Sequence, residues 1–441
     1  MNKKFISLLL GATMVSSIIV GCGSDTTDTS NTSAVSKNDK KEDLEPMQFR
    51  IGWDVESGRG QAIKAIVDVY NEQTDGRTVE VVSGNNQVED IMTSEAEIMQ
   101  LEYFTATSLG QEGYFYDLSD DFNNVSEFFS PAVIDMVSVD DEMYGVPWLG
   151  HTLSFIYNKD LLDLSGVNPD EITSWEKFEE SLLKVEENTD AKGMGMIGKQ
   201  MGDLSWMTAM FVHSFGGSLI DETGNIGLDS KESKEGLDFY FNTLGKYGQE
   251  GWQEHTGVEV MEAFRTQKIA FEIQGPWGVT DIWKLPEEQR FNVGTLALSQ
   301  IMHGEYKGAA EASVHPIAIS TLVEDEDLLE DAKDFIRFMI TPEAQEMLMA
   351  GEFDEKTGEY YPFRVPIRND LQNSPYFIEH PEFLAFIQGF ENPSIEVPVP
   401  EWTEIRERYL TAGYSAVANG SKTIDEAVSE IIKMGNPILQ D

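Results

Sequence analysis

One stretch near the start of the folded region limits the architectures open to this chain. Gln48 to Trp53 alternates, with Phe49, Ile51 and Trp53 on one side. Gly58 and Gly60 interrupt it. Ile63, Ile66, Val67 and Tyr70 then recur at helical spacing, and Thr78 to Val82 returns as a β-branched run. A strand, a helix and a second strand in so short a span imply two parallel strands joined by a right-handed crossover. Ligands in open α/β sheets bind beyond the carboxyl ends of such strands, and Trp53 stands at one.

The alternation continues. Ala96 to Tyr103 reads as a short buried strand, and Thr152 to Tyr157 as a strand leading into Asn158-Lys159-Asp160. Thr173 and Glu176 have capping-box spacing ahead of a helix through Trp175, Phe178, Leu182 and Leu183. Leu237, Tyr240, Phe241 and Leu244 form another helical stripe, as do Ala332, Phe335, Ile336 and Met339. Thr341-Pro342 reads as an N-cap followed by proline at the first helical position. Strands and helices alternating throughout place the chain in the α/β class.

The N-terminus carries a different signal. Lys3 and Lys4 precede a mostly apolar run from Phe5 to Val20, which ends in Gly21-Cys22. Such a run has the length of a secretory signal and is short of the about 20 apolar residues a bilayer span needs. A small residue before the only cysteine resembles a bacterial lipobox. That resemblance implies cleavage after residue 21 and a lipid on the Cys22 thiol. Residues 22–46 are rich in Ser, Thr, Asp, Asn and Lys, which suits a flexible tether. The expected location is the outer face of a cell membrane, or the periplasmic side in a Gram-negative cell, and the tether favours the former. With one cysteine there is neither an intramolecular disulfide nor a cysteine-based zinc site.

Seventy-eight acids against 31 basic residues give a net charge of −47. That balance disfavours nucleic acid and anionic lipid headgroups. The acids are spread along the chain, as on a solvated surface.

Six segments, taken in order, resemble the extracellular solute-binding proteins of ABC importers, in the sugar-binding branch that includes maltose-binding protein. They are Tyr144-Gly145-Val146-Pro147, Tyr157-Asn158-Lys159-Asp160, Thr173-Ser174-Trp175-Glu176-Lys177-Phe178, Gly216-Gly217-Ser218-Leu219, Lys268-Ile269-Ala270 with Gly275-Pro276-Trp277, and Phe335-Ile336-Arg337-Phe338 with Glu343-Ala344-Gln345. Phe271 and the Glu311-to-His315 stretch depart from the family pattern. The resemblance implies a two-lobed periplasmic-binding-protein-like fold of type II. Each lobe is then a sheet flanked by helices, with a hinge of three crossovers near 149–153, 298–308 and 340–345. Lobe one is expected at 47–150 and 309–340, lobe two at 151–299 and 341–441, with 300–308 as hinge. It also implies a monomer that captures a carbohydrate, an oligosaccharide by preference, and delivers it to permease subunits in the membrane.

A sugar presents apolar C–H faces and a rim of hydroxyls, so its site needs aromatic surfaces with donors and acceptors around them. Of eight tryptophans, several stand beside turns: Trp53 ends the first strand, Trp148 follows Gly-Val-Pro, Trp277 follows Gly-Pro, and Trp402 follows Pro400-Glu401. The resemblance puts Trp277 and Trp402 on the wall of lobe two and Trp148 at the first crossover. Trp206 joins them with its neighbour Asp203, whereas Trp175 and Trp283 suit core packing. Polar candidates are Asn85 and Asn86 past the second strand, Tyr103 past the third, His151 beside Trp148, Glu311 and His315 flanking a late strand of lobe one, and Arg364.

Six scattered histidines offer no metal cluster, and no cofactor motif is present. There is no G-x-S-x-G elbow, H-E-x-x-H pair or Walker A loop. Three other readings stay open. One is a binding protein for a polyamine, which acids and aromatics would suit. A second is one for a peptide or a glycerol phosphodiester. The third is a secreted carbohydrate hydrolase using an acid pair whose spacing sequence does not show.

Overall fold

Met47, Phe49 and Ile51 are fully buried, so the alternating run forms a strand, β1 (Met47–Ile51), pressed against a core. The computed structural model describes residues 44–362, 365–397 and 399–440, and from Leu44 onward these form one compact unit. Ser57 caps α1 (Gly58–Gln73), which buries Ile63, Ile66, Val67 and Tyr70 at helical spacing. Then come β2 (Val79–Ser83), β3 (Ile98–Gln100) and α2 (Tyr103–Gln111). Next are β4 (Val146–Thr152) and β5 (Ser154–Asn158), with only Leu153 between them. They are followed by α3 (Trp175–Asn188), β6 (Lys192–Met194), α4 (Gly202–Ser214), β7 (Ile269–Gln274), α5 (Pro276–Trp283) and β8 (Val293–Leu296). The last elements needed here are β9 (Ala310–Ile319), α6 (Glu326–Met339), α7 (Pro342–Ala350), β10 (Val365–Pro366) and β11 (Pro393–Ser394).

Two sheets result. The larger runs β10-β4-β9-β3-β1-β2, with β11 added to the start of β9. β1 pairs parallel with β2, as the opening pattern requires, and also with β3, while β9 is antiparallel to β3 and β4. The smaller sheet runs β8-β5-β7-β6. Each has its own apolar core, one around Phe49, Ile63, Phe335 and Ile336, the other around Phe155, Trp175, Phe178, Phe211 and Phe271. Two α/β lobes follow, and we call the larger-sheet lobe one. The chain passes to lobe two at Leu153, back to lobe one between β8 and β9, and to lobe two again after β10, touching the larger sheet once more at β11.

That third passage lies later than the sequence patterns suggested. Thr341 does cap α7, accepting from the Ala344 backbone with Pro342 in the first turn. Yet Ala344 and Leu348 are fully buried in the same cluster as Phe335 and Ile336, so α7 stays on lobe one. Gln345 fixes it there by donating to the carbonyls of Trp148 (2.8 Å) and Met339 (3.2 Å). A helix end looks the same in sequence whether the next helix stays or leaves. The cap of α3 also moves by one residue: Ser174, not Thr173, accepts from the Lys177 backbone at 3.4 Å.

Trp148 is a correction of another kind. It lies in the interior of β4, fully buried, with its ring edge against Phe49 at 5.7 Å between centroids. The strand sits between β10 and β9 and is buried along its whole length, so this ring faces the core of lobe one and not a ligand.

Candidate functional site

Alternation along β9 builds the centre of the site. Ala310, Ala312 and Val314 are buried, and Ala312 and Val314 belong to the core of lobe one. Glu311, Ser313 and His315 therefore share the opposite face. His151 of β4 is paired with Ser313, so it joins that row from the neighbouring strand. The sequence had singled out Glu311, His315 and His151. Strand pairing makes them neighbours.

The carboxyl ends of β1 and β3 bring a second group. The Gly52 backbone donates to Gln100 Oε1 at 2.8 Å, which leaves Gln100 Nε2 to donate to His315 Nδ1 at 3.0 Å. His315 then accepts at Nδ1, and its proton sits on Nε2, 3.3 Å from Ser313 Oγ. The Ser313 hydroxyl donates in turn to Glu102 Oε2 at 3.3 Å. Glu102 Oε1 lies 3.5 Å from His315 Nδ1 and accepts from Asn86 Nδ2 at 3.2 Å. Gln100 and His315 are almost fully buried while Asn86 is exposed, so this network leads from the interior to an open edge. The Trp53 ring stands 5.9 Å from the His315 ring, half-buried.

Lobe two faces this row with Trp277. Its ring meets His151 edge-on at 5.0 Å. Pro276 opens α5 and Gly275 precedes it, and a Cβ on Gly275 would come within 2.2 Å of the indole. Only glycine lets the ring fold back over the backbone here. Trp277 remains partly exposed, as the Gly-Pro turn suggested.

Beyond Glu311 the row opens into a shallow depression lined by Trp206, Trp402, Glu311, Ser394, Glu396 and Tyr414 among others. Trp402 is 2 % exposed and forms its floor, whereas Trp206 is 37 % exposed. Glu396 organises the wall. Its Oε2 accepts from Trp206 Nε1 at 3.0 Å, and its Oε1 from Arg406 Nη1 at 2.6 Å. The Glu396 backbone donates to the Tyr103 hydroxyl at 3.2 Å, tying this wall to α2 of lobe one. Burial, and then the negative charges of Glu311, Glu396 and Glu102, hold the Tyr103 phenol well above its usual range. Behind the wall, His213 Nδ1 pairs with Ser394 Oγ at 2.8 Å. Burial of the ring lowers its pKa to about 4.

Three of the expected residues stand apart. Asn85 is exposed and serves its own turn, accepting from Arg50 through its carbonyl and from the Gln87 backbone through Oδ1. Its neighbour Asn86 is the one that reaches Glu102. Asp203 lies in the first turn of α4 with its carboxylate against Gly257. Trp148 is in the core. Arg364 and Cys22 lie outside the described residues.

A row of aromatic rings and hydroxyl-matching side chains between two α/β lobes is the geometry of a protein that holds a small molecule. The family model for bacterial extracellular solute-binding proteins matches residues 53–346. This chain belongs to that family. The solute-binding protein is 25 % identical over 215 residues to the maltodextrin-binding protein of Bacillus subtilis, covering 47 % of this chain and 49 % of that one. It thus spans about half the length of that relative. The galactooligosaccharide-binding protein of the same organism is 22 % identical over 321 residues, covering 70 % of this chain and 68 % of the relative. Among solved structures, the sugar-binding protein MalE of Xanthomonas citri superposes with a TM-score of 0.74 at 19 % identity. That superposition covers 90 % of this chain and 98 % of MalE, and it shows the shared fold.

Several residues of the solute-binding protein's cleft were not picked out by sequence reasoning. Gln100 and Glu102 are polar residues ending an apolar run, Ile98-Met99, a signal that was available. Ser313 lies midway between two chosen residues on one strand face, which strict alternation would have exposed. Glu396 and Arg406 carried no local signal, because the groups that give them meaning come from α4 and α2. Among the described residues, no group of three or more His, Cys, Asp or Glu side chains is arranged for a metal. No described helix is long and apolar enough to cross a membrane.

Proposed function

We propose that this protein captures a carbohydrate between its lobes and delivers it to the permease subunits of an ABC importer. The observation that carries the reading is the juxtaposition of Trp53, Trp277 and Trp206 with Glu102, Ser313, His151 and Glu311. Half-exposed rings offer flat apolar surface for sugar C–H faces. Carboxylates accept from sugar hydroxyls, and Ser313 and His151 supply polar contacts around them. Relatives named for maltodextrin and galactooligosaccharide binding support the same class of ligand. The chain works as a monomer, and a lipid on Cys22 holds it at the outer membrane face. It binds its ligand without chemical change.

One observation favours a second reading, a cationic solute such as a polyamine. Glu102, Glu311 and Glu396 all act on Tyr103 beside aromatic rings.

Thermal unfolding of the protein against mono- and oligosaccharides, with spermidine and glycerol phosphate in the same panel, decides between them. A ligand at about 100 times its Kd adds about 2.7 kcal/mol of stability. A sugar that raises the midpoint and is recovered unaltered supports the proposal. A response to spermidine alone supports the second reading, and recovery of a cleaved sugar overturns the binding role.

A further inference from the structure

We propose that the hairpin following α7 is a salt-sensitive clasp between the lobes, with Glu352 as its hook. The strands Glu352–Asp354 and Glu359–Tyr361 pair antiparallel, with Glu352 opposite Tyr361. Asp354 Oδ1 sets the turn by accepting from the backbones of Lys356 (3.0 Å) and Thr357 (2.9 Å), and Gly358 supplies a φ of 70°. The hairpin is rooted in lobe one. It leaves α7, and the Phe353 carbonyl packs so closely on the start of α1 that a Cβ on Gly58 would lie 2.9 Å from it.

The two oxygens of Glu352 have different partners. Oε2 accepts from Arg59 Nε at 3.3 Å, within lobe one. Oε1 accepts from Lys284 Nζ at 2.8 Å, and Lys284 follows α5 in lobe two. The same ammonium lies 5.2 Å above the ring of Tyr361, which is 3 % exposed. Lys284 is thus held by the carboxylate and by the ring opposite it on the hairpin. Glu352 and Lys284 are 19 % and 23 % exposed, so solvent and salt still reach the pair.

Because Arg59 and Lys284 belong to different lobes, the Glu352–Lys284 contact exists only while the lobes are together. It therefore weights the balance between closed and open forms before any ligand is present. A ligand that binds the closed form gains affinity in proportion to that weight. The inference rests on the two-lobed binding reading above, but its test needs no ligand.

Small-angle X-ray scattering of the whole protein in about 0.05 M and about 0.5 M salt, without added solute, provides the test. The radius of gyration of the unaltered protein should rise with salt. Lys284→Gln and Glu352→Gln should raise it at low salt and abolish the response, corresponding to a roughly two- to fivefold change in the closed-to-open ratio. Arg59→Gln, which leaves the interlobe pair intact, should behave like the unaltered protein. Equal radii in all four proteins would overturn the clasp. So would an Arg59→Gln effect as large as that of Lys284→Gln, since the charges would then only anchor the hairpin. Circular dichroism confirms that each variant is folded. A failed sugar assignment would show in the unfolding panel and leave these radii untouched.

Discussion

His151 of β4 and Trp277 of α5 meet edge to face at 5.0 Å, joining a strand of lobe one to a helix of lobe two at the mouth of the cleft. The indole keeps an open surface, and Gly275 leaves room for nothing but the ring. Trp277→Ala should weaken binding of the sugar that raises the melting midpoint by about 1–3 kcal/mol. The midpoint without ligand should move little. Titration calorimetry checks this, and an unchanged Kd removes Trp277 from the site.

Trp148 should behave in the opposite way. Fully buried against Phe49, it has no surface to offer a ligand. Trp148→Ala opens a large cavity in lobe one and should cost about 3–5 kcal/mol of stability in urea unfolding. A variant of full stability with impaired binding would return Trp148 to the cleft.

Glu272 lies in β7, 1 % exposed, and Oε2 has no hydrogen-bond partner. Burial first, and then the charge of Asp281, hold its carboxyl well above the usual range, against a smaller pull from Arg265. A folded-state pKa raised above the unfolded value contributes stability at acid pH that is lost as pH rises through it. Glu272→Gln should therefore stabilise the protein near neutral pH, on the order of 1–3 kcal/mol, and flatten the decline above pH about 5. Urea midpoints measured across that range test the sign directly.

His213 acts on the other side of the scale. Its folded pKa of about 4 lies below the unfolded value, so the unfolded chain takes up the proton first as pH falls. Its contribution is complete above pH about 6.5 and is lost between there and pH about 4, at most about 3 kcal/mol. Replacing it by Gln should shallow that acid limb. If both proteins lose stability in parallel from pH 6.5 to 4, the His213 ring is not held neutral.

Glu396 ties Trp206, Arg406 and Tyr103 together across the cleft wall. Glu396→Ala strips Arg406, 17 % exposed, of its shortest carboxylate contact and should cost about 1–3 kcal/mol of stability. Trp206 should also become more solvent-exposed, with a red-shifted emission. Unaltered stability and emission would mean that the wall does not depend on Glu396.

Much of the framework was legible along the chain. Alternation at Gln48–Trp53 and helical spacing from Ile63 to Tyr70 marked a parallel β-α-β unit. Because side-chain direction in a strand or helix depends on nearby residues alone, such periods survive in the sequence. The same locality let the Gly-Pro turn mark Trp277 and strand ends mark Trp53 and His315. It failed wherever a residue's surroundings come from far away. Trp148 looked like a turn residue and proved to be core, because β9 and β10 close over its strand. Thr341-Pro342 marked a helix start correctly but not which lobe the helix would join. Glu396 was silent in sequence because its partners lie as far off as Tyr103 and Trp206. The sequence by itself determined the local periods, most helix starts and the α/β class of fold. Which polar residues face one another across the cleft, and that Glu352 reaches from one lobe to the other, was decided only when distant segments packed. Burial and pairing are properties of that packing, and no single segment contains them.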